Sequence, residues 1–403
     1  MFFKLAALNL RKHLKRTLLV LFAIAISVLV MVFVEGLMTG LQQSFFQSIF
    51  QDSGHVQLHK TGWEDRLDPY SLDYTISNPD ADLSRLRKDP RVTDAEQILP
   101  FGALVLHGDK NMPMGGYGIQ PDTTYFTRAR EGMLQGHLPQ SDNQIAISKR
   151  TGELLGVSYR DPLVVLVQDS TGSAFYYEYT VAGVFATGSN QFDTGTFFIT
   201  HSAAEDLLYI GNATIEIRVK LQDPTMADAF QKDMSDWAAG QDLEIKTWKQ
   251  IHGSFIVMFE FFDIFMIFID LLVVIVTATV ITNAILMNVF ERTAEFGTLR
   301  AIGLKKRQQF GMIISEGVIQ GVLGSFIGLL AGVGFTLYVA SVGIDMGGVA
   351  ESVGLSSTIY PALTVTNGVR SFGAGVLISI VGSLYASMVS TRMRIVDMFG
   401  GEH

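Results

Sequence analysis

Four stretches of this chain run without a charged residue for long enough to cross a lipid bilayer, and nothing else in the sequence limits its fold as strongly. Residues 17–34, 271–289, 317–343 and 371–391 are 18, 19, 27 and 21 residues long. A hydrocarbon core of about 30 Å takes roughly 20 helical residues, so each run suffices for one span, the third with tilt or frayed ends. With 48% of its 403 residues hydrophobic, the chain is too apolar for an ordinary soluble enzyme.

Between the second and third runs lies an amphipathic island. Over 291–307 the cations Arg292, Arg300, Lys305, Lys306 and Arg307 face the acids Glu291 and Glu295. Basic loops stay in the cytoplasm. Before the first run stand Lys4, Arg11, Lys12, Lys15 and Arg16 without an acid, and Arg392 and Arg394 follow the fourth. The pattern predicts both termini inside and residues 41–255 outside. The N-terminus resembles a signal peptide, but its apolar core is long and lacks a small-x-small site, which predicts an uncleaved anchor. Phe296, Leu299 and Ile302 share helical spacing, so the island is expected to be a helix along the inner membrane face.

Residues 51–255 hold 17 Lys and Arg against 28 Asp and Glu, net −11. Such a domain repels nucleic acid and anionic headgroups. The absence of cysteine excludes disulfides, thiol catalysis and cysteine metal sites, and about 200 residues bury enough core without them.

The expected organisation is an α-helical membrane protein with four spans and a large extracytoplasmic α+β domain on helical stalks. An amphipathic inner-leaflet helix covers 1–16 and the first span with its stalk 17–50. The outer domain fills 51–254, and the second stalk and span 255–290. The cytoplasmic helix covers 291–309, the third span 310–343, an outer loop 344–370, the fourth span 371–391 and a cytoplasmic tail 392–403. Within the outer domain, strand, helix and strand patterns recur at 55–59, 80–88 and 91–106, then at 213–220, 225–239 and 243–247, two β-α-β units that commonly pack as an α+β sandwich. Between them, about 108–205 reads as a β-rich insertion. Gly317, Gly321, Gly324, Gly328, Gly332 and Gly334 set small residues on one face, for close helix contact or as ordinary membrane-helix glycine.

Motifs for catalysis are missing: there is no phosphate-binding G-x-x-x-x-G-K-[ST], no G-x-S-x-G and no H-E-x-x-H. ATP, if used, is expected on another chain. His55 and His59 share a strand face, as a metal pair or as a solvated face. Glu316, near the membrane boundary, invites an internal ion pair with Arg300 or Arg292, or proton transfer. Asp270 reads as interfacial solvation or as a relay. Phe45 and Phe46 on the first stalk and Phe259, Phe262, Phe265 and Met266 on the second suit an acyl chain; lipid exposure and helix packing explain them equally.

E-R-T-A-E-F-G-T-L-R-A-I-G over 291–303, followed by K-K-R-Q-Q and I-I-S-E-G-V-I-Q-G-V-L-G-S-F-I-G, resembles the MacB/FtsX/LolC-LolE class of ABC permeases. F-K-L-A-A-L-N-L-R-K-H-L-K-R-T-L-L near the N-terminus, S-G-H-V-Q-L-H and Y-T-V-A-G-V-F-A-T-G resemble its lipoprotein-releasing branch. The resemblance implies that 291–307 is a coupling helix in a groove of an ATPase subunit, with Glu295, Gly297, Arg300, Ala301 and Gly303 matching the class motif and Glu291 and Arg292 opening it. It implies two ATPases that bind ATP and Mg, a second permease copy or paralogue, and no cofactor on this chain. The implied setting is the bacterial inner membrane, and the implied cargo a lipoprotein or other apolar substrate passed to a periplasmic carrier. Rivals within the class are tripartite export through an adaptor and FtsX-like control of a cell-wall hydrolase. The fused ATPase of MacB has no counterpart here.

Overall fold

The structure, a computed structural model, describes residues 14–347 and 358–392. The amphipathic helix expected over 1–16 and the tail lie almost wholly outside these residues. The chain divides into a membrane unit, which includes residues 258–344, and a head, which includes residues 44–257.

Helix α1 (Leu14–Ser53) runs unbroken for 40 residues. The head is then built on a ten-stranded sheet. Its elements in chain order are β1 (Val56–Lys60), α2 (Asp80–Leu86), β2 (Val92–His107), β3 (Lys110–Ile119), β4 (Met133–Gly136), β5 (Gln144–Ser148), α3 (Lys149–Leu155), β6 (Pro162–Gln168) and β7 (Ala174–Phe185). There follow β8 (Thr196–Thr200), α4 (His201–Leu208), β9 (Glu216–Leu221), α5 (Ala227–Ala239), β10 (Leu243–Thr247) and α6 (Trp248–Ile251).

Strand order is β10-β1-β9-β2-β3-β8-β5-β7-β4, with β6 pairing β2 and β7. Neighbours among the first four strands are antiparallel, each β-α-β unit admitting a strand of the other between its own two. This is the split β-α-β arrangement. The insertion joins through β2, whose first half pairs with β9 and whose second half pairs with β3. Its strands are interleaved with helices α3 and α4, short turns whose first N–H groups are capped by Ser148 and Thr200. Phe101 and Phe197 meet edge to face at 5.6 Å over Gly116, where any side chain would strike both rings.

Strand β1 corrects the solvated-face reading of His55 and His59. It sits between β9 and β10 with Val56, Gln57, Leu58 and His59 all buried, so both faces are covered. The His59 ring stacks on Trp63 at 3.6 Å and bonds Gln57 Oε1 at 2.9 Å. His55 Nδ1 accepts from the Leu221 N–H. Neither histidine belongs to a group able to hold a metal among the described residues.

In the membrane unit, α7 (Gly253–Glu291), the short α8 (Thr293–Ala301), α9 (Lys306–Val342) and α10 (Val365–Arg392) follow. Helices α1, α7, α9 and α10 are each long and apolar enough to cross a membrane. They enclose Val20, Ile24, Val28, Ile281, Ile285, Ile313 and Ile378. The glycine stripe of α9 serves two neighbours rather than one. A Cβ on Gly324, Gly328 or Gly332 would press α1 at Ile24, Ala25 and Val32, whereas Gly317 and Gly321 meet Ser383 and Ser379 of α10. Gly334 faces open space, because its place on the helix has rotated away from both neighbours.

Candidate functional site: the segment between the second and third spans

The expected helix over 291–309 is shorter than its charge pattern suggests. Glu291 is the last residue of α7, and Arg292 caps α8. Gly303, at φ 111°, stops α8 where a side chain would be strained. Its N–H bonds the Arg300 carbonyl at 3.1 Å while the Leu304 N–H reaches back to Leu299 at 2.9 Å, a Schellman closure. Lys305 then caps α9, so Lys306, Arg307 and Gln309 belong to that long helix.

Arg292 ties this segment to the long helix that follows it, Lys306–Val342. Only 5% exposed, it places Nη1 3.2 and 3.4 Å from the two oxygens of buried Glu316 and Nε 3.2 Å from Glu295, with its guanidinium 4.9 Å from the Phe296 ring. Arg292, one of the two expected partners of Glu316, forms an ion pair with it. Phe296 and Gly297 face inward, Arg300 is half-buried, and Glu291, Glu295, Ala301 and Gly303 are exposed. Leu299 and Ile302 point outward as well, Ile302 at 80%.

At the outer ends of the spans, Arg370 of α10 stands 3.7 Å from Glu35 of α1 and 3.3 Å from Asp270 of α7. Asp270 is therefore part of an ion cluster rather than simply solvated. A serine series the sequence reading passed over, Ser379, Ser383, Ser387 and Ser390, is buried along α10. Ser379 donates to the Gly317 carbonyl at 2.7 Å, and Gln309 donates to Ser390 at 2.7 Å. Its spacing of four, four and three, which keeps one helix face, was the available signal.

In the head, the end of α1 is gripped from several sides. Arg218, itself buried and bonded to Glu216, donates to the Asp52 carbonyl, and Arg128 pairs with the Asp52 carboxylate. Cations suit a helix C-terminus. His252 bonds Ser53 at 3.2 Å, and burial, with Arg218 nearby, pushes its pKa down to about 4. Phe45 packs against Phe255 at 4.7 Å and Phe46 against Trp248 at 5.2 Å. These two rings are engaged in packing within the head rather than open to a ligand. Phe259 is buried, Met266 half-buried, and Phe262 and Phe265 are exposed on α7.

The profile of the FtsX-like permease C-terminal family matches residues 267–395, and that of the MacB-like periplasmic core domain matches residues 17–237, more than half of the chain. The chain belongs to the MacB/FtsX-like permeases. As such a permease it is a membrane protein with a large periplasmic domain. Over 258 residues it is 23% identical to the lipoprotein-releasing system transmembrane protein LolC of Xylella fastidiosa, covering 62% of each chain. Over 195 residues it is 25% identical to the macrolide export ATP-binding/permease protein MacB of Bdellovibrio bacteriovorus, covering 47% of this chain and 28% of that one. The permease thus spans about three-fifths of the length of the LolC relative. The periplasmic region of MacB from Actinobacillus actinomycetemcomitans is 13% identical, covers 51% of this chain and 95% of that one, and superposes with a TM-score of 0.37, too slight a likeness to bear on function.

Proposed function

We propose that the chain is the permease subunit of an ATP-driven ABC transporter of the mechanotransmission kind, seated in the bacterial inner membrane with both termini cytoplasmic. The observation that carries this reading is the geometry of α8. Exposed Leu299 and Ile302, rimmed by Glu291, Glu295, Lys305, Lys306 and Arg307, form an apolar centre with a charged border. That is the anatomy of a protein docking surface. A separate ATPase, in two copies that hold ATP and Mg, docks there. A second copy or a paralogue of this permease completes the unit. Motion of α8 passes through Arg292 and Glu316 into α9 without any chemistry on this chain.

The cargo is a lipoprotein drawn from the outer leaflet and handed to a periplasmic carrier, a reading supported by the likeness to LolC. Moving acyl chains through water costs about 0.8 kcal/mol per CH₂, so extraction needs both an energy source and a greasy receiving surface. Phe262, Phe265 and Met266 offer that surface on α7. The likeness to MacB supports a second reading, export of an apolar compound from the periplasm through an adaptor. Photocrosslinkers at Phe262 and Phe265 in cells separate the two: lipoprotein adducts are expected, and their absence at both positions beside adducts to an adaptor would favour export. The ATPase contact is tested by Leu299→Asp with Ile302→Asp, which should abolish copurification of the ATPase while the permease still inserts.

A further inference from the structure

In the head, away from the coupling segment, one face of β7 forms the floor of a cleft of about 190 Å³. Phe175, Tyr177 and Tyr179 alternate along the strand and so share that face. Ala203 and Leu207 of α4 make the wall, and Asp142 and Asp206 supply carboxylates. Tyr177 and Tyr179 meet edge to face at 4.9 Å, with Tyr179 buried and Tyr177 and Phe175 about half exposed. Asp142 is oriented by the Thr200 hydroxyl, which donates to it at 2.5 Å. The acidity of Tyr179 is suppressed first by burial and then by Tyr177, Asp142 and Asp206, so both carboxylates bear on its hydroxyl. No basic side chain is in the lining.

Aromatic faces beside carboxylates select a cation with an apolar stem, guanidinium above all. The volume is below the roughly 300 Å³ at which sites for drug-sized ligands begin and suits a single side chain. The neighbouring backbone says how that side chain is delivered. Ala174–Thr180 of β7 pairs with β6 on one side, while β5 takes up the other side only from Thr180 onward. Among the described residues no strand pairs with Ala174–Tyr179 there. An edge of that kind accepts an added strand, with alternate side chains entering pockets beside it.

We infer that this edge and cleft form a docking site for an extended segment of a periplasmic partner protein, anchored by one arginine or lysine side chain held over Tyr177 between Asp142 and Asp206. The net charge of −11 over residues 51–255 draws such a segment in. The inference is independent of which cargo the transporter carries.

The test uses the full-length protein in nanodiscs, a short capped threonine peptide with one central arginine, and the same peptide with citrulline, the uncharged isostere. Calorimetry should show the arginine peptide binding roughly tenfold more tightly than the citrulline peptide, with about the same loss for Asp142→Asn combined with Asp206→Asn and for Tyr177→Ala. The two carboxylates are exposed, so the Asn variants should melt as the parent does; a lowered melting point in Tyr177→Ala would leave the Asn pair and the citrulline peptide as the deciding arms. Equal binding of the two peptides, no binding of the arginine peptide at millimolar concentration, or undiminished binding to the Asn variant overturns the site. Spermidine binding as tightly as the arginine peptide overturns the strand-docking part, since a free amine makes no use of the edge.

Discussion

Arg292 and Glu316 illustrate how one pair of residues can be costly to break and yet not a source of stability. Removing one member of a buried pair leaves the other as an uncompensated charge, at about 3–5 kcal/mol, whereas replacing both by apolar groups is often neutral. Glu316→Gln should therefore lower the melting temperature of the detergent-solubilised protein sharply, and Glu316→Leu with Arg292→Met should regain most of the loss. A double variant as unstable as the sum of its singles would refute this coupling. His252 makes a second prediction at this scale. Its folded pKa of about 4 lies below the ordinary 6.5, so the unfolded chain binds the extra proton between those values. Stability is then complete above about pH 6.5 and falls as pH drops toward 4, by no more than about 3 kcal/mol from this group. Burial also lowers the pKa of His55 and His59, which adds the same sign. Thermal melts at pH 7 and pH 5 should differ less in His252→Gln than in the parent.

At the scale of elements, charge-free length made the four long helices legible, because each run is long and apolar enough to cross a bilayer. The strands of the split β-α-β sheet were legible from alternation and turn residues. What the sequence hid was pairing partners. Gln57 and His59 alternate with Val56 and Leu58 as on a half-solvated strand, yet β1 lies between two neighbours and under Trp63, and tertiary cover overrode the pattern. The segment over 291–309 reads as one helix from its charge pattern and the helix formers on either side of 302–305, but Gly303 in the left-handed region and Lys305 in an extended conformation divide it. The glycines of α9 give a prediction here. A Cβ on Gly328 would stand 2.5 Å from the Ala25 carbonyl oxygen, whereas Gly334 meets nothing within 4 Å. Gly328→Leu should separate α1 from α9 and lower both yield and melting temperature, while Gly334→Leu should leave both near the parent values; equal effects would mean that the glycines do not act through packing.

For the whole molecule, the proposed transporter requires that a change at α8 alters ATP turnover by a separate subunit without altering membrane insertion. Arg300→Glu should abolish substrate-stimulated ATP hydrolysis in the reconstituted complex while membrane insertion stays unchanged. Unchanged stimulation would remove Arg300 from the coupling role. The family itself was readable from the motif over 291–303, but the cargo was not, since the aromatics that suggested an apolar cleft divide in the structure. Phe45 and Phe46 fill the head's own aromatic cluster, and only Phe262 and Phe265 stay open.

Strand β2 is 16 residues long and forms the border shared by the two portions of the head sheet. A joint between those portions would have to bend or unzip a single stretch of backbone bonded along both halves. The amide hydrogens of β2 that donate to its neighbouring strands should accordingly exchange with deuterium at one common, slow rate in both halves, and limited proteolysis should release the head as one fragment instead of two.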